Sequence, residues 1–442
     1  MSQSHTIHAH SVHALAQAAK KAARSVASAS AEQRNAALEH VAQAIANSGS
    51  AILEANAEDM QDAQAALLSG GFSKSLVDRL RLSPVKLDAM IEGVRAVASL
   101  PDPVGHVLDR ITLDNGLELE KVSCPLGLLA VIFEARPEAV TQITALAIKS
   151  ANAVILKPGR EVERTARVLV DAIRSALQHH TSLPEDVVTN IQQRAEVDEL
   201  LQLDDLVDLV IPRGSYSLVR HVQSSTRIPV LGHSEGVCHI YVDKAANFDM
   251  ALSIIDDAKT DYPAACNSVE TVLVHQAVAD SFLPRLATSM VESGVELRGC
   301  ATTIRTLKNT DVEPVTDWHV EYGDLILAIK VVADLHEAIE HIERHGSAHT
   351  DAIITDDAAA AQTFLDQVDS AGVFHNASTR FSDGNRYGFG AEVGISTSRL
   401  HARGPVGLDG LTTYKYILRG DGQRVRDYEG PNARPFVHRR HS

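Results

Sequence analysis

Leu128-Leu129-Ala130-Val131-Ile132-Phe133 is an unbroken apolar run and reads as a strand buried on both faces. A helical stretch follows from Val140 to Ser150, then a second short apolar run from Ala153 to Leu156, then a helix from Arg164 to Leu177. Strand Leu206 to Ile211, helix Tyr216 to Gln223 and strand His239 to Val242 continue the series. Short apolar runs alternating with helices predict a parallel sheet with helices on both faces. The alternation resumes after Cys266, with strands at Thr271 to Val274, Leu325 to Val331 and Ala352 to Ile354. Helices at Val278 to Val291, Leu335 to Arg344 and Ala358 to Val368 separate and follow them. The expected architecture is α/β, with two doubly wound parallel-sheet units and a boundary near Asp243 to Phe248. Such sheets bind ligands beyond the carboxyl ends of their strands.

The first hundred residues read as helices, opened at Ser30-Ala31-Glu32-Gln33 by the form of a capping box. Arg110 to Glu120 holds two alternating runs around Asn115-Gly116, the strongest short hairpin signal. A lone two-stranded ribbon is marginal in water, so it is expected to pack on another subunit or on the C-terminal strand. Met1 to Ala31 has no acidic residue and reads as a first amphipathic helix, with a transit peptide as the alternative. His5, His8, His10 and His13 read as a frayed polar terminus, not a metal site, and no metal is expected elsewhere. The basic tail from Arg434 to His441 reads as a solvated end.

The chain has 442 residues, 45% of them hydrophobic, which is enough for more than one core. A net charge of −16 makes it a poor partner for nucleic acid or an anionic membrane surface. No apolar run approaches the roughly 20 residues that span a bilayer. Cys124, Cys238, Cys266 and Cys300 are widely spaced and form no disulfide framework or zinc motif, which fits a reducing cytoplasm.

Cys266 lies in Asp261-Tyr262-Pro263-Ala264-Ala265-Cys266-Asn267-Ser268, a polar stretch of small residues just before a strand. A cysteine there can be both held and exposed, as a catalytic thiolate must be. The usual phosphate-binding glycine signatures are missing, and Gly388 to Gly394 has the wrong spacing for one. Lys157 and Arg160 follow the strand ending at Leu156, where two cations could hold a nucleotide 2′-phosphate. An ordinary solvated turn is the alternative, and spacing does not choose between them. Gly214 and Ser215 could present backbone N–H groups to a pyrophosphate at a helix start. Arg136, Asn376, Arg380 and Arg403 lie at strand ends or in loops, and each alone reads as a surface residue. Together, in so acidic a chain, they favour an anionic substrate.

Taken in order, Val131-Ile132-Phe133-Glu134-Ala135-Arg136-Pro137, the Cys266 segment, Asn376-Ala377-Ser378-Thr379-Arg380-Phe381 and the run from Gly388 to Tyr416 resemble a known family. It is the glutamate-5-semialdehyde dehydrogenase (gamma-glutamyl phosphate reductase) family of the aldehyde dehydrogenase superfamily, and the resemblance covers roughly Ala14 to Gly422. It implies an NADPH-binding domain over 1–107 and 123–243 and a catalytic domain over 244–400. An oligomerisation flap over 108–122 and 401–425 completes the expected layout. Cys266 matches the superfamily nucleophile and Lys157 the cofactor-binding lysine. Arg160 falls where relatives that prefer NAD often carry a glutamate, which favours NADPH, and Glu321 resembles the glutamate that orients the nicotinamide ribose. Arg136, Asn376, Arg380 and Arg403 are the substrate-binding candidates.

The implied reaction is NADPH-dependent reduction of L-glutamyl 5-phosphate to L-glutamate 5-semialdehyde, a step of proline synthesis. A Cys266 thioester would form first, and a hemithioacetal would then collapse to the aldehyde. A cytoplasmic homo-oligomer in functional contact with glutamate 5-kinase is expected. Three departures accompany the resemblance. Gly232 stands where hydrolytic members carry a general-base glutamate, with Glu235 three residues on. Ala135 replaces the usual oxyanion asparagine, leaving the Cys266 N–H and a second, unassigned donor. Lys157-Pro158-Gly159 replaces the commoner glycine pair. The competing readings are a CoA-acylating or hydrolytic aldehyde dehydrogenase, a cysteine hydrolase, and a silent scaffold for the kinase.

Overall fold

The computed structural model describes residues 11–232 and 235–441, so His5, His8 and His10 lie outside the described residues. Val12–Ala27 is the expected amphipathic helix, capped by the Ser11 hydroxyl. Its Val12, Ala16, Ala19 and Ala23 pack into one core with Leu128, Ala130, Ile132 and Ile155. The helix from Val12 to Ala27 is therefore part of the packed fold. The capping box at Ser30 and Gln33 is formed, each residue holding the other's backbone N–H.

Contacts divide the chain into two units. The first runs to Val230 and takes in Gly390–Val393 and the chain from Gly407. A hairpin of β1 (Val107–Asp114) and β2 (Leu117–Pro125) turns at Asn115-Gly116, where Gly116 has the positive φ of +73° that a tight turn needs. Strands β3 (Leu128–Phe133), β4 (Ala153–Pro158), β5 (Val188–Asn190) and β6 (Leu209–Arg213) form a parallel sheet in the order β5-β4-β3-β6. All six residues of β3 are buried, as a strand covered on both faces requires.

The second unit comprises Leu231–Phe389 and Gly394–Val406. Its strands are β7 (Cys238–Val242), β8 (Val269–His275), β9 (Glu296–Gly299), β10 (Glu313–Pro314), β11 (Ile326–Val332), β12 (Thr350–Ile354) and β13 (Gly372–His375). They form one parallel sheet in the order β10-β9-β11-β8-β7-β12-β13. Alternate residues feed two cores. Ile240, Val242, Val272 and Val274 enter one, and Tyr241, Leu273 and Ile353 the other. A short pair, β14 (Ile395–Ser396) and β15 (Gly404–Pro405), lies apart from this sheet.

The boundary between units falls at Val230, not near Asp243 to Phe248. Strand β7 was expected to close the first sheet, but it pairs with β8 and β12. A buried apolar strand looks the same in either sheet, so its periodicity could not assign it. The hairpin does pack on a C-terminal strand: β16 (Thr412–Arg419) runs antiparallel along β2. The basic tail is a solvated end only in its side chains. Its backbone forms β17 (Arg439–His441), which pairs with the free edge of β1. Edge pairing uses main-chain groups and asks little of composition.

A histidine cluster lies in the second unit. His341 is 3% exposed and packs edge-on against His239 and Trp318, with ring centroids 5.5 and 5.2 Å away. Its Nδ1 contacts Lys330 Nζ at 3.1 Å, and its Nε2 has no hydrogen-bond partner among the described residues. Burial, aided by the charges of His239 and Lys330, pushes its pKa down to about 2. In the unfolded chain His341 takes up a proton below about pH 6.5, whereas the folded protein refuses it until about pH 2. This group's stabilisation is complete above about pH 6.5 and is lost at up to about 1.4 kcal/mol per pH unit as pH falls. Urea midpoints between about pH 8 and pH 5 should show a shallower acid decline in His341→Leu than in the wild type.

Candidate active site

Cys266 lies in a turn between the helix Phe248–Thr260 and β8. Ala265 donates to the Tyr262 carbonyl at 3.0 Å and Ser268 to the Ala265 carbonyl at 2.9 Å, so the backbone on either side of Cys266 is pinned. The Cys266 N–H meets no hydrogen-bond acceptor among the described residues, which leaves it open to an oxyanion. Its carbonyl oxygen accepts from the Cys238 thiol at 3.3 Å. Burial pushes the Cys238 thiol well above the ordinary range, so it stays protonated and donates. All four cysteines are free.

Two neighbours of Cys266 had no sequence signal. His349, fully buried on the turn before β12, brings Nε2 within 3.2 Å of Cys266 Sγ. Gly236 passes so close that a Cβ there would overlap the Cys266 carbonyl. Gly236→Ala must therefore push the turn aside. A displacement near 1 Å at a nucleophile costs about 100-fold, so kcat should fall by about that factor with dinucleotide binding unchanged, as steady-state kinetics and a binding titration would show.

A buried ion pair brackets the turn. Lys259, in the last turn of the preceding helix, contacts Glu270 on β8 at 3.0 Å, and both side chains are fully buried. Burial pushes the Glu270 carboxyl up to about 7 and the Lys259 ammonium down, and each partner's charge pulls the other part of the way back. The second Glu270 oxygen accepts from the Gly323 N–H at 3.3 Å. The segment Glu321-Tyr322-Gly323 is thus tied to the Cys266 turn, and Glu321 is close enough to act on the Glu270 charge.

The substrate candidates separate. Asn376 and Arg380 line one cavity of about 390 Å³ together with Asp261 and Arg386. The Asn376 side chain bonds both ways to the backbone of Thr355, at 3.0 Å each. Arg380 contacts Asp261 at 3.1 Å and donates to Asn267 Oδ1, while Asn267 Nδ2 reaches the Ser382 carbonyl at 2.9 Å. Arg380 therefore braces the residue next to Cys266. Arg403 is not in that cavity and pairs with Asp369 at 2.6 Å. Arg136, just beyond β3, is partly buried and makes no ion pair among the described residues.

In the first unit, a cavity of about 490 Å³ opens beyond the carboxyl ends of β3 and β4. Lys157, Gly159, Arg160, Glu134 and Glu161 line it. Burial lowers the Lys157 pKa, opposed by the charge of Glu161, and Lys157 Nζ donates to the Pro158 carbonyl at 2.8 Å. Arg160 is exposed and makes no ion pair among the described residues. Glu161 accepts from the N–H of Ala135 at 2.5 Å, where Ala135 sits at a φ of +49°. Ser215 heads the helix Tyr216–Ser225, but its N–H donates to the Glu134 carboxylate at 2.7 Å. A Cβ at Gly159 would overlap the Glu161 carboxylate, and one at Gly214 the Glu134 carboxylate. Of the four residues expected in cofactor binding in this unit, Lys157 and Arg160 line this cavity, whereas Gly214 and Ser215 reach it only through Glu134, which Ser215 contacts. Glu134, unremarked in the sequence, already occupies the anion position at Ser215. Among the described residues no cluster of His, Cys, Asp and Glu could hold a metal ion.

A parallel sheet with a cavity at its strand ends, and a second sheet carrying a braced cysteine, define the class. The chain belongs to the aldehyde dehydrogenase family, whose model matches residues 1–304. Within that family its likeness is to the gamma-glutamyl phosphate reductases. It is 54% identical over 436 residues to the gamma-glutamyl phosphate reductase of Acaryochloris marina, covering 98% of this chain and 99% of that one. It is 52% identical over 423 residues to that of Natronomonas pharaonis, covering 95% and 96%. The crystal structure of gamma-glutamyl phosphate reductase from Thermotoga maritima matches with a TM-score of 0.90 at 40% identity, over 94% of this chain and all of that one. The chain is an oxidoreductase of a family that uses a nicotinamide cofactor.

Proposed function

We propose that the protein catalyses NADPH-dependent reduction of L-glutamyl 5-phosphate to L-glutamate 5-semialdehyde with release of phosphate, through a thioacyl group on Cys266. The observation that carries this reading is the braced Cys266 turn in a chain aligned almost end to end with gamma-glutamyl phosphate reductases. The Cys266 thiolate attacks the acyl carbon and phosphate departs as a stable anion. The open Cys266 N–H faces the developing oxyanion, and a preorganised donor of this kind is worth about 3 to 4 kcal/mol. The nicotinamide, when bound, supplies the hydride that reduces the thioester. Arg136, without a carboxylate partner among the described residues, is the candidate for the substrate's charge. Arg380, Arg403 and Asn376 hold the surrounding loops and offer what hydrogen-bonding capacity remains.

The cavity at β3 and β4 is the candidate cofactor site, since Lys157 and Arg160 line it at the carboxyl ends of the strands. Lys157 and Arg160 would hold the adenosine ribose and its 2′-phosphate, Gly214 and Ser215 the pyrophosphate once it displaces the Glu134 carboxylate from the Ser215 N–H, and Glu321 the nicotinamide ribose. A charge-assisted bond to phosphate is worth about 1.5 to 3 kcal/mol. Arg160→Ala should therefore weaken NADPH binding by about 10- to 100-fold and leave NADH binding nearly unchanged, as fluorescence titration with both would show.

The reading carries with it a homo-oligomer, contact with glutamate 5-kinase and a cytoplasmic location. Tyr414, Tyr416 and Leu418 on β16 are exposed beside the hairpin, as a sheet awaiting a second subunit would leave them. Among the described residues no helix is long and apolar enough to cross a membrane. The deciding experiment follows NADPH formation from NADP and glutamate semialdehyde with and without inorganic phosphate. Strict dependence on phosphate supports the proposal, and signal without phosphate points to a hydrolytic dehydrogenase.

A further inference from the structure

We infer that His349 takes the thiol proton of Cys266 and hands it to the departing phosphate. Its Nε2 lies 3.2 Å from Cys266 Sγ, on a ring that is fully buried. The far edge of the ring sets its orientation. Nδ1 stands 2.9 Å from Thr350 Oγ1 and 3.8 Å from Cys238 Sγ. The Cys238 proton is committed to the Cys266 carbonyl, so the Cys238 sulfur is an acceptor toward the ring. Nδ1–H then points to Thr350 and Cys238, and the Nε2 lone pair faces Cys266. One cysteine thus sets both the backbone of the nucleophile and the tautomer of its base.

The inference rests on Cys266 being the nucleophile. The Cys266 S–H bond breaks and its proton moves to Nε2. A bond forms from Sγ to the acyl carbon as the bond from that carbon to the phosphate oxygen breaks. The proton then passes from Nε2 to the leaving phosphate, and nothing is oxidised or reduced in this step. The titratable groups in contact with the ring include Cys266 and Cys238, with Asp351, Glu270 and Lys259 acting on Cys238.

A histidine that merely fills space would leave the thiol's pH dependence alone. Full-length protein is therefore alkylated with iodoacetamide from about pH 5.5 to about pH 10, and modification of Cys266 is read by peptide mapping. The wild-type rate should inflect below about 8.5, the free cysteine value. His349→Gln should lower the rate at about pH 6.5 by at least about tenfold and leave it within about twofold at pH 10. Coincident profiles would overturn the inference. If the variant does not fold, the wild-type profile decides, since a single inflection at about 8.5 overturns it as well. Turnover that survives Cys266→Ala is a separate result, which removes the parent reading instead.

Discussion

Replacing Cys266 with alanine is expected to abolish phosphate-dependent turnover, by at least about 10⁴-fold, while dinucleotide binding persists. The size follows from the absence of a substitute. Cys238 is a thiol that touches the Cys266 turn, but it is buried, protonated and spent on the Cys266 carbonyl. The turn itself should survive, because Asn267, Arg380 and the backbone bonds of Ala265 and Ser268 hold it without the sulfur. Cys266→Ala should therefore unfold at nearly the wild-type urea concentration. Full turnover in this variant would sink the thioacyl mechanism.

Lys259→Met is expected to cost about 3 to 5 kcal/mol of stability at about pH 8, because it leaves the Glu270 carboxylate buried without its counter-charge. The loss should depend on pH in a known direction. Glu270 has a folded pKa raised above its unfolded value, and removing Lys259 raises it further. A raised carboxyl pKa favours the folded state at low pH and disfavours it as pH climbs through that value. The destabilisation should thus be smaller at about pH 6 than at about pH 8. The double variant Lys259→Met with Glu270→Leu should recover most of the loss, since an apolar pair of similar size often equals a buried ion pair. Denaturant melts of the three proteins at both pH values test this, and equal losses at both would exclude a Glu270 that changes charge between them. The pair also anchors both ends of the Cys266 turn, so the single variant should lose activity before it unfolds.

Much of this was legible in the sequence, for reasons that differ between residues. The apolar runs Leu128–Phe133 of β3 and Ala153–Leu156 of β4 were too short for helices and read as buried strands, and Asn115-Gly116 could hardly be anything but a hairpin turn. Cys266 stood out because a polar turn before a strand is an unusual home for a structural cysteine. His349 did not, because it lies in Ser347-Ala348-His349-Thr350, far along the chain, and meets Cys266 only through the sheet order that sets β7 between β8 and β12. Gly236 was silent for the same reason, since its constraint is a through-space approach. In Phe133-Glu134-Ala135-Arg136 the arginine drew notice as an anion anchor, yet Glu134 is the residue that reaches the amide at Ser215. Arginine charge is visible in a sequence, whereas its partners are not. Arg380 and Arg403 both proved to be held by aspartates.

The division of the chain has a consequence for anyone wishing to cut it. The backbone passes from one unit to the other after Val230, Phe389, Val393 and Val406, four crossings in all. Neither unit is a single length of chain, so no one stop codon or protease site releases either intact. A product ending at Val230 would keep β1 to β6 but lack β16, the strand that covers β2 from Glu118 to Pro125. It would expose a long unpaired edge of the kind that recruits other chains. Dissection of this protein is better done by circular permutation, with new ends placed in an exposed loop, than by truncation.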